Sequence, residues 1–298
     1  MSILNRPSDG LLSVLLALHR GVLAYGPKAE GALIDLVAPS SVVPDGKPDM
    51  ARKTLTRWKQ LGFFLSDAEG VIALSPAIAT IAPNAPDRLR AAVLRLVLAP
   101  ENNPAFSLPG DDDQEGSRAS DATRALAWVL AQDPYTFPSR YREVEQLRSG
   151  QGVEPTPFVN DTRWGGFSEW AAFLGAAFTG AKVGLVPNPS FAVRTALDDV
   201  FGNVDELAQA DFFTRLAEAL PVVDGGRYRA VVDAQTSRPW RTHRSNEVTP
   251  SLSAALLTLE ASMVLRLEMR SDAPTRLLLG RAGRELRSIS HVVRLGVA

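Results

Sequence analysis

The sequence has 298 residues, a formal net charge of −1, 45% hydrophobic residues and 22% charged residues. This length is typical of two or three globular domains, and the charge balance excludes a strongly basic nucleic-acid coat protein and an acidic tail. The absence of cysteine excludes disulfides, thiolate metal sites and a thiol nucleophile. No apolar run reaches the roughly 18 residues of a membrane span, and no basic segment of a signal peptide begins the chain. We therefore expect a cytoplasmic protein with no membrane contact.

The first third of the chain has the pattern of a small DNA-binding fold. Apolar spacing predicts three helices, over Leu11–Tyr25, Lys28–Val37 and Asp49–Leu61. Two short strands, Phe63–Leu65 and Val71–Leu74, follow around a polar turn. Three helices followed by a two-stranded hairpin are the outline of a winged helix-turn-helix, which we assign to residues 1–82.

Residues 83–202 are predicted to form a helical middle region. Residues 100–120 contain Asn, Pro, Gly and an acidic run, and this composition is typical of an exposed, mobile loop. A short strand is predicted over Val183–Val186. The segment Phe167–Phe178 is apolar nearly all round, which predicts a buried helix. The other predicted helices of this region are Asp87–Leu98, Asp121–Gln132, Ser139–Leu147 and Pro189–Phe201.

The C-terminal region, residues 203–298, repeats the outline of the first. Helices are predicted over Asp205–Leu220 and Pro250–Met263, while Tyr228–Ala234 could be strand or helix. Strands Val264–Arg270 and Arg276–Leu279 would then pair around a wing at residues 271–274. The predicted fold is therefore mainly α with small β-hairpins, with winged helix-turn-helix modules at both ends joined by the helical middle.

The third helix has the distribution of apolar and polar residues that a recognition helix requires. At 100° per residue, Ala51, Leu55 and Trp58 lie on one side, which we expect to be buried. Cations, a hydroxyl and an amide lie opposite or near the buried edge, and such groups can bind base edges and phosphates. The candidate DNA-binding residues of this helix are Arg52, Lys53, Thr56, Arg57, Lys59 and Gln60.

The alternative for this helix is an ordinary solvated face. Five cations between Lys47 and Lys59 face a single acid, Asp49, in an otherwise neutral protein. That local excess favours contact with double-stranded DNA, although winged helices also bind proteins.

The corresponding C-terminal helix, Pro250–Met263, carries no cation and is predicted to be buried against another domain or a partner. Its flanks are basic, because residues 225–298 contain twelve arginines and six acids. A loop with Trp240 and His243 supplies three further candidate DNA-binding residues: Arg238, Arg241 and Arg244. Alternatively, these C-terminal arginines pair with the acidic segment from Asp198 to Asp224.

Catalytic motifs are absent. The segment from Gly175 to Lys182 resembles a phosphate-binding loop but lacks the adjacent Lys-Ser/Thr pair that contacts phosphate and magnesium. The three histidines, His19, His243 and His291, lie far apart and show no metal-ligand spacing. We therefore predict no catalytic residues, no metal, no cofactor and no enzyme activity.

Four segments of the chain resemble the DpdG family of the bacterial deazapurine-in-DNA (Dpd) gene cluster. They are Ile3–Leu11, Thr54–Phe63, Gly184–Pro189 and Asp224–Tyr228. The resemblance implies a role in a modification and restriction system that marks host DNA with 7-deazaguanine derivatives and attacks unmarked phage DNA. It further implies a cytoplasmic location and partner proteins from the same gene cluster, but it supplies no catalytic residues.

Three functions remain open on the sequence. The chain could be a non-catalytic DNA-binding component of a defence complex, a winged-helix transcriptional regulator, or a protein–protein adaptor that never contacts DNA. Three linked modules fit an assembly component better than a small repressor, which usually acts as a symmetric dimer.

Overall fold

A computed structural model describes residues 3–4, 10–39, 41, 49–104, 106, 118–158, 160–180, 183–242 and 244–296. The chain is mostly helical, with small antiparallel sheets, as the sequence predicts. It divides into two compact units, neither of them continuous in sequence. The first contains Met1–Ala122 and Phe158–Trp170, and the second contains Thr123–Pro157 and Ala171–Ala298.

The first unit begins with six elements in the order α–β–α–α–β–β, which we call the N-terminal module. Its first strand has only two residues, lies between the first two helices and pairs with the last strand. The sheet order is therefore β1-β3-β2, and both pairs are antiparallel. The elements are α1 (Leu12–Tyr25), β1 (Lys28–Ala29), α2 (Glu30–Val37), α3 (Asp49–Gln60), β2 (Phe64–Ser66) and β3 (Val71–Leu74).

The three predicted helices and the hairpin of this module are present, but the second helix begins at Glu30 rather than at Lys28, because Lys28–Ala29 pairs as a strand. Glycines end or turn the elements of the module. Gly26 follows α1 with a φ of 73°, and Gly70 has a φ of 77° in the hairpin turn. Both values lie in the left-handed region, which glycine enters without steric cost. The strand β1 was not predicted, because two residues are too short to show an alternating pattern.

After the module, the chain forms α4 (Pro76–Ala79), α5 (Pro86–Leu98) and a 3-10 turn over Pro100–Asn102. The expectation of an exposed loop is wrong at Asn102, Asn103 and Phe106, which are buried. The Asn102 amide donates to the carbonyl of Leu96 near the end of α5 (2.8 Å) and to that of Leu61 just after α3 (3.2 Å), so it satisfies acceptors at the ends of both helices. Residues 107–117 of the predicted loop lie outside the described residues.

The first unit is completed by a later segment of the chain. Helices α6 (Ser120–Leu130) and α7 (Tyr141–Gln151) precede α8 (Asp161–Phe173). The Trp170 indole lies 5.2 Å from the Trp58 ring, and its Nε1 donates to the Gly10 carbonyl at 2.8 Å. Helix α8 thus brings a tryptophan into the core of the first unit.

The predicted helix Phe167–Phe178 is wrong in its bounds. Helix α8 begins six residues earlier and ends at Phe173, and Ala177–Gly180 is a strand, β4, paired with β5 (Gly184–Pro187). Gly175 has a φ of 73°, and a Cβ there would lie 2.3 Å from the Phe191 ring. The left-handed glycine therefore ends the helical run and reverses the chain into a hairpin.

The second unit repeats the order of the N-terminal module with insertions. Its matching elements are α9 (Ser190–Phe201), β6 (Glu206–Ala208), α10 (Gln209–Ala219), α12 (Pro250–Ala261), β8 (Leu265–Glu268) and β11 (His291–Arg294). We call these six elements the C-terminal module. Their sheet order is β6-β11-β8, again first, third, second, and both pairs are antiparallel.

Two insertions separate the elements of the C-terminal module. The first contains α11 (Arg227–Ala234) and β7 (Glu247–Val248), and the second contains β9 (Arg276–Leu279), a 3-10 turn over Arg281–Gly283, and β10 (Glu285–Ile289). They form a separate sheet of order β10-β9-β7, in which β7 and β9 are parallel. The segment Tyr228–Ala234, which the sequence left as strand or helix, lies within helix α11.

Two further predictions in this region are wrong. The helix predicted over Asp205–Leu220 begins only at Gln209, because Glu206–Ala208 pairs with His291–Val293 as a strand. The predicted pairing of strands around residues 271–274 does not occur, since β8 pairs with β11 and β9 pairs with β10. Local sequence favoured the nearest strand as partner, whereas the real partner of β8 follows a whole inserted hairpin.

Candidate nucleic-acid interface

Helix α3 buries the predicted apolar side. Ala51, Leu55 and Trp58 are each 3% exposed or less. Trp58 packs edge-on against Phe63, with ring centroids 5.7 Å apart, and also contacts Trp170. This packing fixes the rotation of α3 about its axis and so decides which of its side chains reach solvent.

The solvent-facing side of α3 contains most of the predicted polar residues. Arg52, Thr56 and Gln60 are exposed, and Lys53 is partly exposed. Lys53, Thr56 and Gln60 follow one another at intervals of three and four residues, and Arg52 lies four residues before Thr56, which places them along one face of the helix. We call these four residues the α3 polar face.

The predicted exposure of Arg57 is wrong. Arg57 is only 4% exposed, and its neighbour on the helical wheel, Thr54, is fully buried. The wheel assumed one packed side, but α3 is covered over a wider arc. The Arg57 Nη1 donates to the Gln60 Oε1 at 2.7 Å. The buried Arg57 therefore orients the exposed Gln60 side chain. A substitution of Arg57 would change both the packing of α3 and any contact that Gln60 makes with a ligand.

One carboxylate on a neighbouring helix engages two of the predicted DNA-binding cations. Glu30, at the start of α2, accepts from the Lys59 Nζ at 3.1 Å and lies 3.5 Å from the Arg52 Nη1. These contacts hold Lys59, which is partly exposed, against α2. Sequence reasoning missed Glu30, because no periodicity within α3 can reveal an acid that lies 29 residues before Lys59, outside the helix.

The loop of the second unit that carries Arg238, Arg241 and Arg244, which we call the arginine loop, is only partly available to a ligand. Arg238 and Arg244 are exposed. Arg241 instead donates from Nη2 to the Glu247 Oε1 at 2.8 Å and from Nη1 to the Gly283 carbonyl at 3.2 Å. The predicted role of Arg241 in DNA binding thus competes with a structural one. His243 and Lys47 lie outside the described residues.

Arginines beyond this loop pair with acids, which supports the alternative drawn from the sequence. Arg270 binds Glu206 through two parallel bonds of 2.7 Å, and Arg294 donates to Asp198. Arg229 lies 3.3 Å from Asp224. Hydrogen bonds from Arg270 lower the pKa of Glu206 and of Glu268, so these carboxylates are charged at neutral pH. Much of the C-terminal excess of arginine is therefore used within the second unit.

The C-terminal counterpart of α3 is buried over its N-terminal half, while Thr258 and Ala261 near its end are exposed; its predicted burial against another domain or a partner stays a prediction. Leu252, Ala255, Leu256 and Leu259 of α12 are buried, and so are the residues of its first turn. The Ser253 Oγ donates to the Val248 carbonyl at 3.1 Å and accepts from the Leu279 N–H at 3.0 Å. The inserted sheet therefore covers α12 at its N-terminal half.

His19 is a core residue of the first unit. It is 6% exposed and meets Phe63 edge-on at 5.6 Å. Burial, with a smaller contribution from the charge of Arg20, lowers the pKa of His19 and keeps the ring neutral at neutral pH. Within the described residues, no three His, Asp or Glu side chains are grouped as a metal site would require. The described helices also include none that is long and apolar enough to cross a bilayer.

The geometry defines a mainly helical protein with small antiparallel sheets and a solvent-facing polar surface on α3. The family model described as DpdG-like matches residues 1–273, so the chain belongs to the DpdG-like family. No curated protein and no solved structure matches the chain.

Proposed function

We propose that this protein is a non-catalytic component of the Dpd system that binds double-stranded DNA through α3. Membership of the DpdG-like family supports the link to that system. In the proposal, its partners are DNA and other proteins of the same gene cluster, and its target is DNA without the 7-deazaguanine modification.

The topology of both modules supports a winged helix-turn-helix assignment. In each module a short first strand pairs with the last strand of the hairpin, which gives the order first, third, second. A winged helix has three helices and a small antiparallel sheet of this kind, and its third helix enters the major groove. By this assignment α3 is the recognition helix of the N-terminal module, and the β2–β3 turn is its wing.

The observation that carries the proposal is the α3 polar face. Arg52 and Lys53 supply cations for phosphates, and Thr56 and Gln60 supply a hydroxyl and an amide that can bind base edges. All four are exposed or partly exposed on one side of a helix whose opposite side is fixed by the core. Glu30 offsets part of the positive charge, so we expect moderate affinity and a dependence on salt.

An adaptor role is the second candidate, because apolar side chains lie in the same module. Met50 at the start of α3 is 50% exposed, and Leu65 of β2 is 48% exposed. Exposed apolar side chains beside polar ones are typical of protein-binding surfaces when they form a contiguous patch.

Fluorescence anisotropy with a labelled DNA duplex tests the proposal. The variant Arg52→Gln/Lys53→Gln removes two cations from the α3 polar face, and Arg88→Gln/Arg142→Gln removes two exposed arginines elsewhere. We expect the first variant to bind more weakly at about 50 mM salt and its salt slope to fall by about two. The control should bind like the parent protein.

Three outcomes would contradict parts of the proposal. An equal loss of DNA affinity in both double variants would mean that the net charge of the protein, and not α3, determines binding. Absence of binding by the parent at about 50 mM salt, where phosphate contacts are strong, would favour the adaptor role. ATP turnover or metal-dependent nicking that a single acid substitution abolishes would contradict the non-catalytic assignment.

A further inference from the structure

A cleft of about 450 Å³ lies within the second unit. Its wall includes residues of the arginine loop, Thr249 just before α12, and Ala131 and Gln132 just after α6; Arg276 of β9 lines it as well. This volume lies in the range of about 300–1,000 Å³ that is typical of small-molecule sites. The cleft is separate from α3, which belongs to the first unit.

The carboxylates of the cleft already have partners. Asp224 accepts from the Thr249 N–H at 2.7 Å, from the Thr249 hydroxyl at 2.8 Å and from Arg229 at 3.3 Å. Glu247 accepts from Arg241 and from the Arg244 N–H, and these bonds lower its pKa, so it remains charged at neutral pH. Asp233 accepts from the Arg229 Nε at 2.7 Å. Two of the four cleft arginines, Arg229 and Arg241, are thus neutralised.

The other two arginines, Arg244 and Arg276, keep their donors available. Among the described residues, neither guanidinium forms a hydrogen bond or an ion pair. The Arg276 guanidinium is half-buried and lies over the Phe213 ring, 4.7 Å from its centroid. Its burial disfavours the charged form and lowers its pKa, while Asp224 acts in the opposite direction. A partly desolvated cation whose donors have no acceptor is stabilised by an anion that supplies one.

An aromatic ring lies beside these cations. The Trp240 indole lines the cleft, and its Nε1 donates to the Ala131 carbonyl at 2.8 Å. This bond fixes the ring, and a fixed aromatic ring is a platform for a planar heterocycle. The buried amides of Gln132 and Gln151 also line the cleft and bond to each other at 2.8 Å.

We propose that this cleft binds a nucleoside monophosphate, with its phosphate on Arg244 and Arg276 and its base against Trp240. A phosphate monoester carries a charge of about −1.5 to −2 at pH 7, and its oxygens can accept from the guanidinium groups of Arg244 and Arg276. Each guanidinium presents five N–H donors in a planar fork that suits phosphate oxygens. The cleft is a ligand site distinct from the α3 polar face, so either function can exist without the other.

Isothermal titration of the full chain with adenosine 5′-monophosphate and guanosine 5′-monophosphate tests the proposal. At least one of them should bind, and the same nucleoside without phosphate should bind at least tenfold more weakly. Arg244→Gln removes an exposed cation and should reduce affinity about tenfold, the equivalent of one lost charge-assisted bond. Arg238→Gln, an exposed arginine of the same loop that does not line the cleft, is the matched control.

A second pair of variants separates binding from folding. Arg276→Gln should abolish binding, whereas Arg276→Lys keeps the charge and should retain part of it; melting temperatures of the unliganded variants report any loss of fold. The proposal is wrong if neither nucleotide binds up to about 1 mM, or if nucleoside and nucleotide bind equally. It is also wrong if Arg244→Gln weakens duplex DNA binding while nucleotide binding is unchanged, since the arginines would then contact the DNA backbone.

Discussion

Helices α3 and α12 are the third helices of the two modules, and the comparison between them shows how one order of elements can serve two purposes. Helix α3 keeps four polar residues on a solvent-facing side, where Glu30 lies 3.5 Å from the Arg52 Nη1. Helix α12 has no cation, and its first turn is buried beneath an inserted sheet. The insertion, rather than the module itself, decides whether the third helix can meet a ligand.

The hydroxyl groups of the two helices make the same point. On α3, Thr56 is exposed, and its hydroxyl is open to solvent or a ligand. On α12, the buried Ser253 bonds β7 and β9, and the buried Ser251 donates to the Leu130 carbonyl. Small polar residues of α12 therefore stabilise packing within the second unit. In our proposal, similar residues on α3 contact DNA instead.

The largest expected effect comes from placing a charge inside the N-terminal module. Leu55→Asp puts a carboxylate in a fully buried position, which costs several kcal/mol and should unfold the module. Thr56→Asp adds the same charge one residue further on, at an exposed position, and should change stability by about 0.5 kcal/mol or less. Thermal denaturation monitored by tryptophan fluorescence compares the two, and equal destabilisation would mean that both sides of α3 are packed.

A smaller loss should follow when the cover of α12 is weakened. Ser253→Ala leaves the Leu279 N–H without its acceptor, which should cost about 1–3 kcal/mol of unfolding free energy. Ser262→Ala is the control. Ser262 directly follows the same helix, and its exposed hydroxyl donates to the Thr258 carbonyl. Urea titrations of the two variants give the difference, and no difference would show that the inserted sheet does not enclose α12 through this serine.

The stability of the N-terminal module should also depend on pH, because it contains the buried His19. Because the folded-state pKa of His19 is lower than the unfolded value near 6.5, the stability it contributes is complete above that value. That contribution is lost as the pH falls through the lower folded-state pKa. His19→Phe, which keeps an aromatic ring but cannot titrate, should flatten the pH dependence of the first unit between pH 7 and 5.

The control for that experiment is His291→Gln in β11, which should leave the transition of the first unit unchanged. Melting curves across this pH range provide the measurement. A parent and a His19→Phe variant with parallel pH profiles would contradict the assignment of acid sensitivity to His19.

The smallest effect is expected at the exposed ion pairs of the C-terminal module. Arg270→Gln breaks bonds to Glu206 and Glu268, but all three side chains contact solvent, and exposed pairs contribute little. Any change in melting temperature should diminish as salt is raised, because ions screen such pairs. A loss as large as that of Ser253→Ala, unaffected by salt, would mean that this network is a structural centre of the module.

The sequence was informative where a contact is local and periodic. The 3.6-residue spacing of Ala51, Leu55 and Trp58 correctly predicts the buried side of α3. It failed at Arg57, because the burial of Thr54 and Arg57 extends the packed side of α3 beyond the arc that the apolar spacing marks. It failed again for β8, whose partner β11 follows more than twenty residues later. The division at residues 82 and 202 and the DNA contacts themselves stay predictions.

The return of the chain to the first unit at Phe158–Trp170 has a consequence for synthesis in the cell. Trp170 packs against Trp58 and donates a hydrogen bond to the Gly10 carbonyl, but it is synthesised more than 100 residues after Trp58. At about 5–20 residues per second, the N-terminal module waits several seconds for that tryptophan. During this interval the Trp58 side of its core lacks one of its partners, so slow translation of residues 123–157 would prolong exposure to proteases and chaperones. The order in which the ribosome delivers these two tryptophans thus sets how long the nascent protein is vulnerable.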